Sequence, residues 1–465
     1  MIQIKFGTDG WRAIIAREYT FDNLARVTDA TAEWLKANFE NPSAVVGYDC
    51  RFQGDLFARH VANIFANQGI KVFLSPAFVS TPMVSLATER KGASAGIVIT
   101  ASHNPHTYSG YKIKGEYGGP AYPAIISDVE DRIPNHVNTY ENRFDEFVKS
   151  GAIEHLDMER MYIDHLQKSF DLDLIRKSGI NIGYDAMYGA GQNVIREIFP
   201  EARLLHCEFN PSFMGQAPEP IERNLKEFQS VIRAEGIDVG LATDGDADRI
   251  GLFDEKGTFV DSHHILLLLI QYLVKEKGLS GKVVSTFSCT GKIKKLCDHY
   301  NLPNQVTKIG FKYICEIMLN ENVIVGGEES GGIAIAGHVP ERDGIFIGLT
   351  LMEFMAKSGK KLTELVQEVY DMVGSFAFDR NDLHITNEKK LAVIELCNSN
   401  PYTAFGDYPV ESVESVDGVK FLLGNDRWVM IRPSGTEPVL RVYCEAETHE
   451  KVAEILEQAV ATIMA

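Results

Sequence analysis

The chain has 465 residues, of which 64 are acidic and 46 basic, giving a formal net charge of −18. Such a surface repels nucleic acid and anionic membranes over most of its area, so an anionic substrate needs a local basic pocket. The length exceeds what one core serves and points to three or four domains, and seven cysteines without a C-x-x-C pair read as reduced thiols in a cytoplasmic setting.

Met1 to Arg12 shows no apolar core of the signal-peptide kind. Ala44 to Asp49 (AVVGYD) is a short apolar run ending in a turn, which predicts a buried strand. Phe57, Val61, Ile64 and Phe65 share one helical face, and Gly69 can end that helix. Ile70 to Leu74 predicts a second strand. Pro82 starts a second helix that runs to about Arg90, and Ala95 to Thr100 (AGIVIT) predicts a third strand. That strand ends in Ala101-Ser102-His103-Asn104-Pro105.

The same order recurs. Ile180 to Asp185 (INIGYD), Arg203 to Phe209 and Ile237 to Thr243 predict strands, with a helix at Asn224 to Glu235. The third strand ends in Asp244-Gly245-Asp246-Ala247-Asp248-Arg249. The apolar stretch Ile265 to Val274, broken by Gln271, is too short for a bilayer and reads as a buried helix. A third round follows: strands at Val283 to Phe287, Gln305 to Ile309 and Val323 to Val325, the last ending in Gly326-Gly327-Glu328-Glu329-Ser330-Gly331-Gly332. Helical stretches between strands favour crossover connections and mostly parallel pairing. The last segment differs. Val419 to Leu423 and Trp428 to Ile431 flank a Gly-Asn-Asp turn, as in a hairpin, and Glu450 to Ile463 predicts a helix. Its notable loop is Arg432-Pro433-Ser434-Gly435-Thr436-Glu437-Pro438. In open α/β sheets ligands sit beyond the carboxyl ends of the strands, so the four loops are expected to converge on one cleft.

Asp244, Asp246 and Asp248 alternate as oxygen ligands for a hard cation do, and Mg²⁺ fits best. A solvated turn and an EF-hand calcium loop are the alternatives. The latter has Glu255 at its twelfth position but Arg249 where its sixth needs glycine. Ser102 is either a nucleophile or a turn-capping hydroxyl, and no G-x-S-x-G elbow surrounds it. A magnesium-neutralised phosphoserine would suit the three aspartates. In the last loop Gly435 permits close backbone approach, Ser434 and Thr436 offer hydroxyls, and Arg432 and Arg441 offer forked donors to a phosphate. Glu328 and Ser330 can hydrogen-bond sugar hydroxyls.

Together these motifs resemble the α-D-phosphohexomutase superfamily along the whole chain. Thr100 to Pro105 (TASHNP) looks like its phosphoserine loop, and Asp244 to Arg249 (DGDADR) like its magnesium loop. Gly327 to Gly331 (GEESG) looks like its sugar-binding loop, and Arg432 to Pro438 (RPSGTEP) like its phosphate-binding loop. Phe6 to Arg12 (FGTDGWR) matches its opening segment. The resemblance implies three repeated α/β mixed-sheet domains plus a C-terminal α+β domain around a central cleft. The domains run 1–150 with the phosphoserine loop, 151–254 with the magnesium loop, 255–372 with the sugar-binding loop and 373–465 with the phosphate-binding loop.

It further implies that Ser102 carries a phosphoryl group, with Mg²⁺ held by Ser102, Asp244, Asp246 and Asp248. A hexose 1,6-bisphosphate acts as intermediate and activator. Arg249 joins the catalytic group. Arg12, Lys308, Glu328, Ser330, His338, Arg432, Ser434, Gly435, Thr436 and Arg441 contact the substrate. Lys112 is the first acid–base candidate and needs a depressed pKa, to which nearby cations and burial would contribute. His103 and His338 come next, each equally readable as a packing residue. Phosphoglucosamine mutases usually show glutamine after the first glutamate of the sugar loop and often histidine at the position of Gly332. Glu329 and Gly332 therefore disfavour a phosphoglucosamine mutase, while the loop does not distinguish glucose from mannose; glucose phosphates are the expected substrate, with mannose phosphates as alternative or second substrate. A metal-dependent phosphatase and a catalytically silent sugar-phosphate sensor are the more distant alternatives. The expected partners are small hexose phosphates, with no nucleic acid or membrane, and the expected state is a monomer or homodimer.

Overall fold

The computed structural model describes residues 2–7, 9–399, 401–433 and 439–464. They form two compact units, Met1–Gly281 with Gly310–Leu365, and Lys282–Ile309 with Val366–Ala465.

In the first unit a six-stranded sheet has the order Trp11–Ile14, Tyr108–Gly115, Ala95–Ile99, Ser43–Tyr48, Lys71–Leu74 and Ile153–His155. Ser43–Tyr48 pairs in parallel with both Lys71–Leu74 and Ala95–Ile99, and helices Gly54–Asn67 and Thr81–Lys91 make the crossovers. The second helix starts where the sequence says it should. The Ser80 hydroxyl accepts from the Met83 amide, Pro82 sits in the first turn, and Gly92 ends the helix in the left-handed region at φ 59°. Every residue of Ala95–Ile99 is buried. The strand carries no polar alternation because both faces of the sheet are covered. A second sheet has the order Phe259–Val260, Ile250–Phe253, Val239–Thr243, Ile182–Asp185 and Arg203–Leu205. Val239–Thr243 again lies parallel to Ile182–Asp185 and is buried throughout.

The structure adds something the repeat pattern did not predict. After each functional loop the chain returns antiparallel to the strand it left. Tyr108–Gly115 pairs with Ala95–Ile99, Ile250–Phe253 with Val239–Thr243, and Ile333–Ile335 with Val323–Gly327. Each loop is thus the tip of a hairpin, and the sheets are mixed, as the family resemblance implies, rather than mostly parallel as the repeat pattern alone suggests. The reversals use left-handed residues: Ser102 at φ 51°, Ala247 at φ 57° and Gly331 at φ 87°. For the two that are not glycine this conformation costs about 1–2 kcal/mol each, so the surrounding structure must enforce it.

In the second unit Lys282–Thr286 pairs in parallel with Asn304–Thr307. A five-stranded antiparallel sheet follows, in the order Ala377–His384, Val439–Ala446, Trp428–Pro433, Val419–Leu422 and Ser412–Ser415. The expected hairpin turns at Asn425 and Asp426, both left-handed at φ 53° and 62°. Phe421, Val429, Ile431, Val442 and Cys444 pack against Ile455 and Leu456 of helix His449–Met464. Each such fully buried large side chain contributes about 1.5–3 kcal/mol relative to exposure.

The apolar run at 265–274 is the buried face of helix Ser262–Lys275. Among the described residues no helix is long and apolar enough to cross a membrane. All seven cysteines are buried and unbridged.

Candidate active site

Ser102 lies one turn beyond Ala95–Ile99 and is 1% exposed. Its amide donates to Thr100 Oγ1 at 2.9 Å, and that hydroxyl donates to Asp49 Oδ2 at 2.5 Å. Its Oγ donates to Asp244 Oδ2 at 2.8 Å and stands 3.3 Å from His103 Nδ1. The first two hairpin tips therefore touch directly. They touch because position 245 is glycine: a Cβ there would lie 2.5 Å from the Ser102 carbonyl oxygen. The third tip is tied to the second, since the Ile250 amide donates to the Gly331 carbonyl at 3.1 Å.

Asp244, Asp246 and Asp248 are fully buried, and one oxygen from each lies within 4.8 Å of the others. Burial and the charges of Asp246 and Asp248 push the Asp244 carboxyl well above its ordinary pKa. Burial also acts to raise Asp246, but Lys112, Thr81 and Arg342 outweigh it and hold that carboxyl well below the usual range. Lys112 Nζ lies 2.8 Å from Asp246 Oδ2, 2.9 Å from Asp248 Oδ2 and 2.8 Å from Asp9 Oδ2. Arg342 Nη2 reaches Asp248 Oδ2 at 2.6 Å and also pairs with Asp9. Thr81 Oγ1 donates to Asp246 Oδ2 at 2.5 Å.

These donors still leave oxygens over. Asp246 Oδ1 and Asp248 Oδ1 are buried without a hydrogen-bond partner. A buried acceptor left bare costs about 1–3 kcal/mol, and three carboxylates in one place repel each other. A small hard cation answers both problems, and the all-oxygen donor set fits Mg²⁺. Ser102, expected among the ligands, stands at the rim of this set through its bond to Asp244.

Cationic groups surround the serine. Arg12 Nη1 donates to Asn104 Oδ1 at 2.8 Å. The Arg249 amide donates to Asp244 Oδ1 at 3.1 Å, its Nη1 lies 3.9 Å from Glu219, and its Nε has no partner. Burial, then Arg249, Arg12, Arg51 and Lys112, push His103 well below the ordinary histidine pKa, so its ring is neutral near pH 7. Lys112 goes the other way. Burial alone would lower it, but Asp246, Asp248 and Asp9 more than reverse that and hold it as ammonium. The depressed pKa and cationic surroundings expected from sequence are not found; the neighbours are mainly carboxylates.

Glu328 is 5% exposed, accepts from the Gly310 amide at 3.0 Å and lies 3.9 Å from Arg342 Nη1. Burial raises its pKa to about 7, against the pull of Arg342. Ser330, half-buried, shares the tip. A Cβ at Gly332 would meet Arg342 Cδ at 2.4 Å and Glu328 Oε2 at 3.3 Å. The Arg342 side chain fills the space beside the sugar-loop candidate.

His338 does not present its ring to this group. The ring is stacked on Phe346 at 4.1 Å, with Nε2 2.9 Å from Asp343 Oδ2 and Nδ1 3.0 Å from His165 Nε2. Lys308 belongs to the second unit, where it is exposed at the end of Asn304–Thr307. Arg432 and Arg441 also belong to that unit and face each other across the strand pair Trp428–Pro433 and Val439–Ala446. Like charges directly opposite repel. Asp417 lies 3.2 Å from Arg432 and Asp382 3.8 Å from Arg441, and Arg441 Nε has no hydrogen-bond partner. Ser434, Gly435 and Thr436 lie outside the described residues. The structure also brings in residues to which the sequence reading gave no role: Asp9, Thr81 and Arg342. Asp9 was within reach, because it sits inside the Phe6 to Arg12 motif. Arg342 carried no local signal.

Comparison with known proteins agrees with this arrangement. The chain matches the domain descriptions "Phosphoglucomutase/phosphomannomutase, alpha/beta/alpha domain I" over residues 3–140, domain II over 160–257, domain III over 261–373 and the C-terminal domain over 385–462. A protein of Thermococcus kodakarensis named phosphoglucomutase/phosphomannomutase is 29% identical, covering 97% of this chain and 96% of its own length. One of Caldicellulosiruptor bescii named phosphoglucosamine mutase is 30% identical, covering 96% of each. A solved structure from Thermus thermophilus, described as a "putative phosphomannomutase", superposes with a TM-score of 0.88 at 33% identity over the full length of both chains. The chain belongs to the phosphoglucomutase/phosphomannomutase family of the α-D-phosphohexomutase superfamily, and it is a phosphohexomutase.

Proposed function

We propose that this phosphohexomutase interconverts the 1- and 6-phosphates of a neutral hexose, glucose first and mannose second, with Ser102 as the covalent carrier. The observation that carries the reading is the Ser102 Oγ, 2.8 Å from Asp244 in a buried carboxylate cluster that retains bare oxygens. Asp244, Asp246 and Asp248 would hold Mg²⁺, which when bound supplies positive charge against the phosphoryl oxygens. The chain's own groups do the rest. In the first step a sugar hydroxyl oxygen bonds to the phosphorus carried by Ser102 while the P–Oγ bond breaks. The proton that the sugar hydroxyl loses is the one Ser102 Oγ regains, with neutral His103, 3.3 Å from Oγ, as its relay. Lys112, held as ammonium by its carboxylate neighbours, supplies positive charge rather than acting as a base. The bisphosphorylated sugar turns round, and Ser102 Oγ takes the other phosphate. For that step the hydroxyl proton has two acceptors in reach, neutral His103 at 3.3 Å and Asp244 at 2.8 Å. Arg12 and Arg249 line the serine side, Glu328 and Ser330 accept and donate to sugar hydroxyls, and Arg432 and Arg441 anchor the resting phosphate together with the loop at 434–436. Lys308 is a further phosphate contact, a hexose 1,6-bisphosphate primes the serine, and the three domain boundaries at 150, 254 and 372 belong to the same reading, as does a cytoplasmic setting.

Preference for a neutral sugar rests on Gly332. A Cβ there would lie 2.4 Å from Arg342 Cδ, so the histidine frequent in phosphoglucosamine mutases would require the Arg342 side chain, which pairs with Asp248 and Asp9, to shift. The second reading, an amino-sugar substrate, is favoured by the names of several relatives about 30% identical to the chain. A panel of glucose, mannose and glucosamine 1-phosphates, scored by kcat/KM, decides between them. A glucosamine value above both neutral sugars rejects the proposed preference. Stoichiometric release of inorganic phosphate would instead identify a phosphatase, and near-normal turnover by Ser102→Ala would remove the carrier role.

A further inference from the structure

The turn after Ser43–Tyr48 delivers Asp49 and Arg51 beneath the serine loop, because Ser43–Tyr48 and Ala95–Ile99 are neighbouring parallel strands. Arg51 is 2% exposed and its guanidinium is the hub of that loop. Nη2 donates to the carbonyls of Ser102 at 2.6 Å and Asn104 at 2.7 Å. Nη1 donates to the carbonyls of Pro105 at 2.8 Å and Tyr108 at 3.0 Å. Nε donates to Asp49 Oδ2 at 3.2 Å. A guanidinium has five N–H donors, and all five are spent. Phe213, itself left-handed at φ 48°, lays its ring 5.0 Å from the guanidinium carbon and covers it.

Asp49 also reaches the other side of Ser102. It accepts from Thr100 Oγ1, which in turn accepts from the Ser102 amide. The carbonyl of Ser102 is therefore held through Arg51 and its N–H through Thr100, with Asp49 joining the two arms. A residue with both peptide groups pinned cannot rotate, and Ser102 is held at φ 51° with its Oγ aimed at Asp244. No segment of regular structure does this; strand pairing stops at Ile99 and resumes at Tyr108.

We infer that Arg51, paired with Asp49, is the positioning residue that fixes Ser102 for phosphoryl transfer, a role that rests on the carrier reading of Ser102. Arg51 touches neither substrate nor the transferred group; it acts through the backbone of the residue that does. A lysine keeps the charge but offers three donors from one point, so it cannot reach four separated carbonyls and Asp49.

The test is Arg51→Lys in the full chain, with steady-state kinetics, thermal melting and single-turnover phosphorylation of Ser102 by glucose 1,6-bisphosphate followed by intact mass. The expected result is a fall in kcat of about 100-fold, the scale of an ångström-level misplacement. KM should stay within about threefold, the serine should be phosphorylated correspondingly more slowly, and the melting temperature should fall, because buried carbonyls lose their donors, while the variant stays folded at the assay temperature. Free guanidinium should restore part of the rate to Arg51→Gly. A folded Arg51→Lys with unchanged kcat per folded molecule overturns the inference. Should Arg51→Lys not fold, Thr100→Val cuts the other arm alone. It should lower kcat roughly five- to tenfold, the scale of one hydrogen bond, and an unchanged kcat there overturns the inference. Failure of the carrier reading shows separately, as turnover by Ser102→Ala.

Discussion

Two buried polar clusters in the first unit differ in one respect. Around Asp343 everything is matched. Tyr162 donates to both carboxylate oxygens at 2.8 Å, the Phe346 amide donates to Oδ1 at 2.9 Å, and His338 bonds Oδ2 while its other nitrogen meets His165. Around Asp246 and Asp248 the cations are as close, yet one oxygen of each carboxylate is bare. The first cluster is complete and caps helix Gly344–Ser358. The second leaves room for a cation, the Mg²⁺ of the proposed function. Burial of charge therefore does not mark function here; incomplete pairing does.

That contrast can be broken in order of expected effect. Asp246→Asn and Asp248→Asn should each lower kcat by about 10²–10³-fold, comparable to loss of a preorganised charge-stabilising group. They should also raise the Mg²⁺ concentration needed for activity, read by metal titration. Chelation of the parent enzyme should abolish turnover, and Mg²⁺ should restore it. Glu328→Gln should cost roughly 10–100-fold in kcat/KM, the range for a hydrogen bond to a charged group. In the parent, kcat/KM should fall as pH drops below about 7, where Glu328 takes a proton, and the Gln variant should lose that limb. Stability should move the opposite way through this residue. Its folded pKa of about 7 exceeds the ordinary 4.5, so the folded state binds the extra proton between those values and the contribution grows as pH falls. Tyr162→Phe should cost about 1 kcal/mol and lower Tm by about 2–4 °C, with kcat unchanged. His338→Gln should likewise leave KM for the sugar phosphate unchanged. A change in catalysis from either would join the two clusters into one site.

Much of this was readable in the sequence because loops punctuate. The aspartates of Asp244 to Asp248 and the glycines around Glu328 interrupt apolar runs at corresponding ends of repeated strands, and the structure brings those tips together. The returning strands were harder. Ile250–Phe253 and Ile333–Ile335 are four and three residues long and buried throughout, so they carry no alternation to detect. Lys112 was placed near the serine, but its neighbours were misjudged: cations were expected where Asp9, Asp246 and Asp248 stand. Asp9 and Arg342 are 333 residues apart, and pairing at that distance leaves no trace in a local window. His338 looked like a site histidine because a lone histidine near a glycine-rich loop is indistinguishable from one that packs under it.

Gly245 has a consequence for movement. Its missing side chain lets the serine and aspartate tips close to contact, with the Ser102 carbonyl against the Gly245 backbone. A seam this tight has no play, and any step that opened it would separate the carrier oxygen from the carboxylates. In the proposed mechanism the bisphosphorylated intermediate turns end over end between two transfers. On that proposal the workpiece is what rotates, and the contact at Gly245 favours a vice that stays shut.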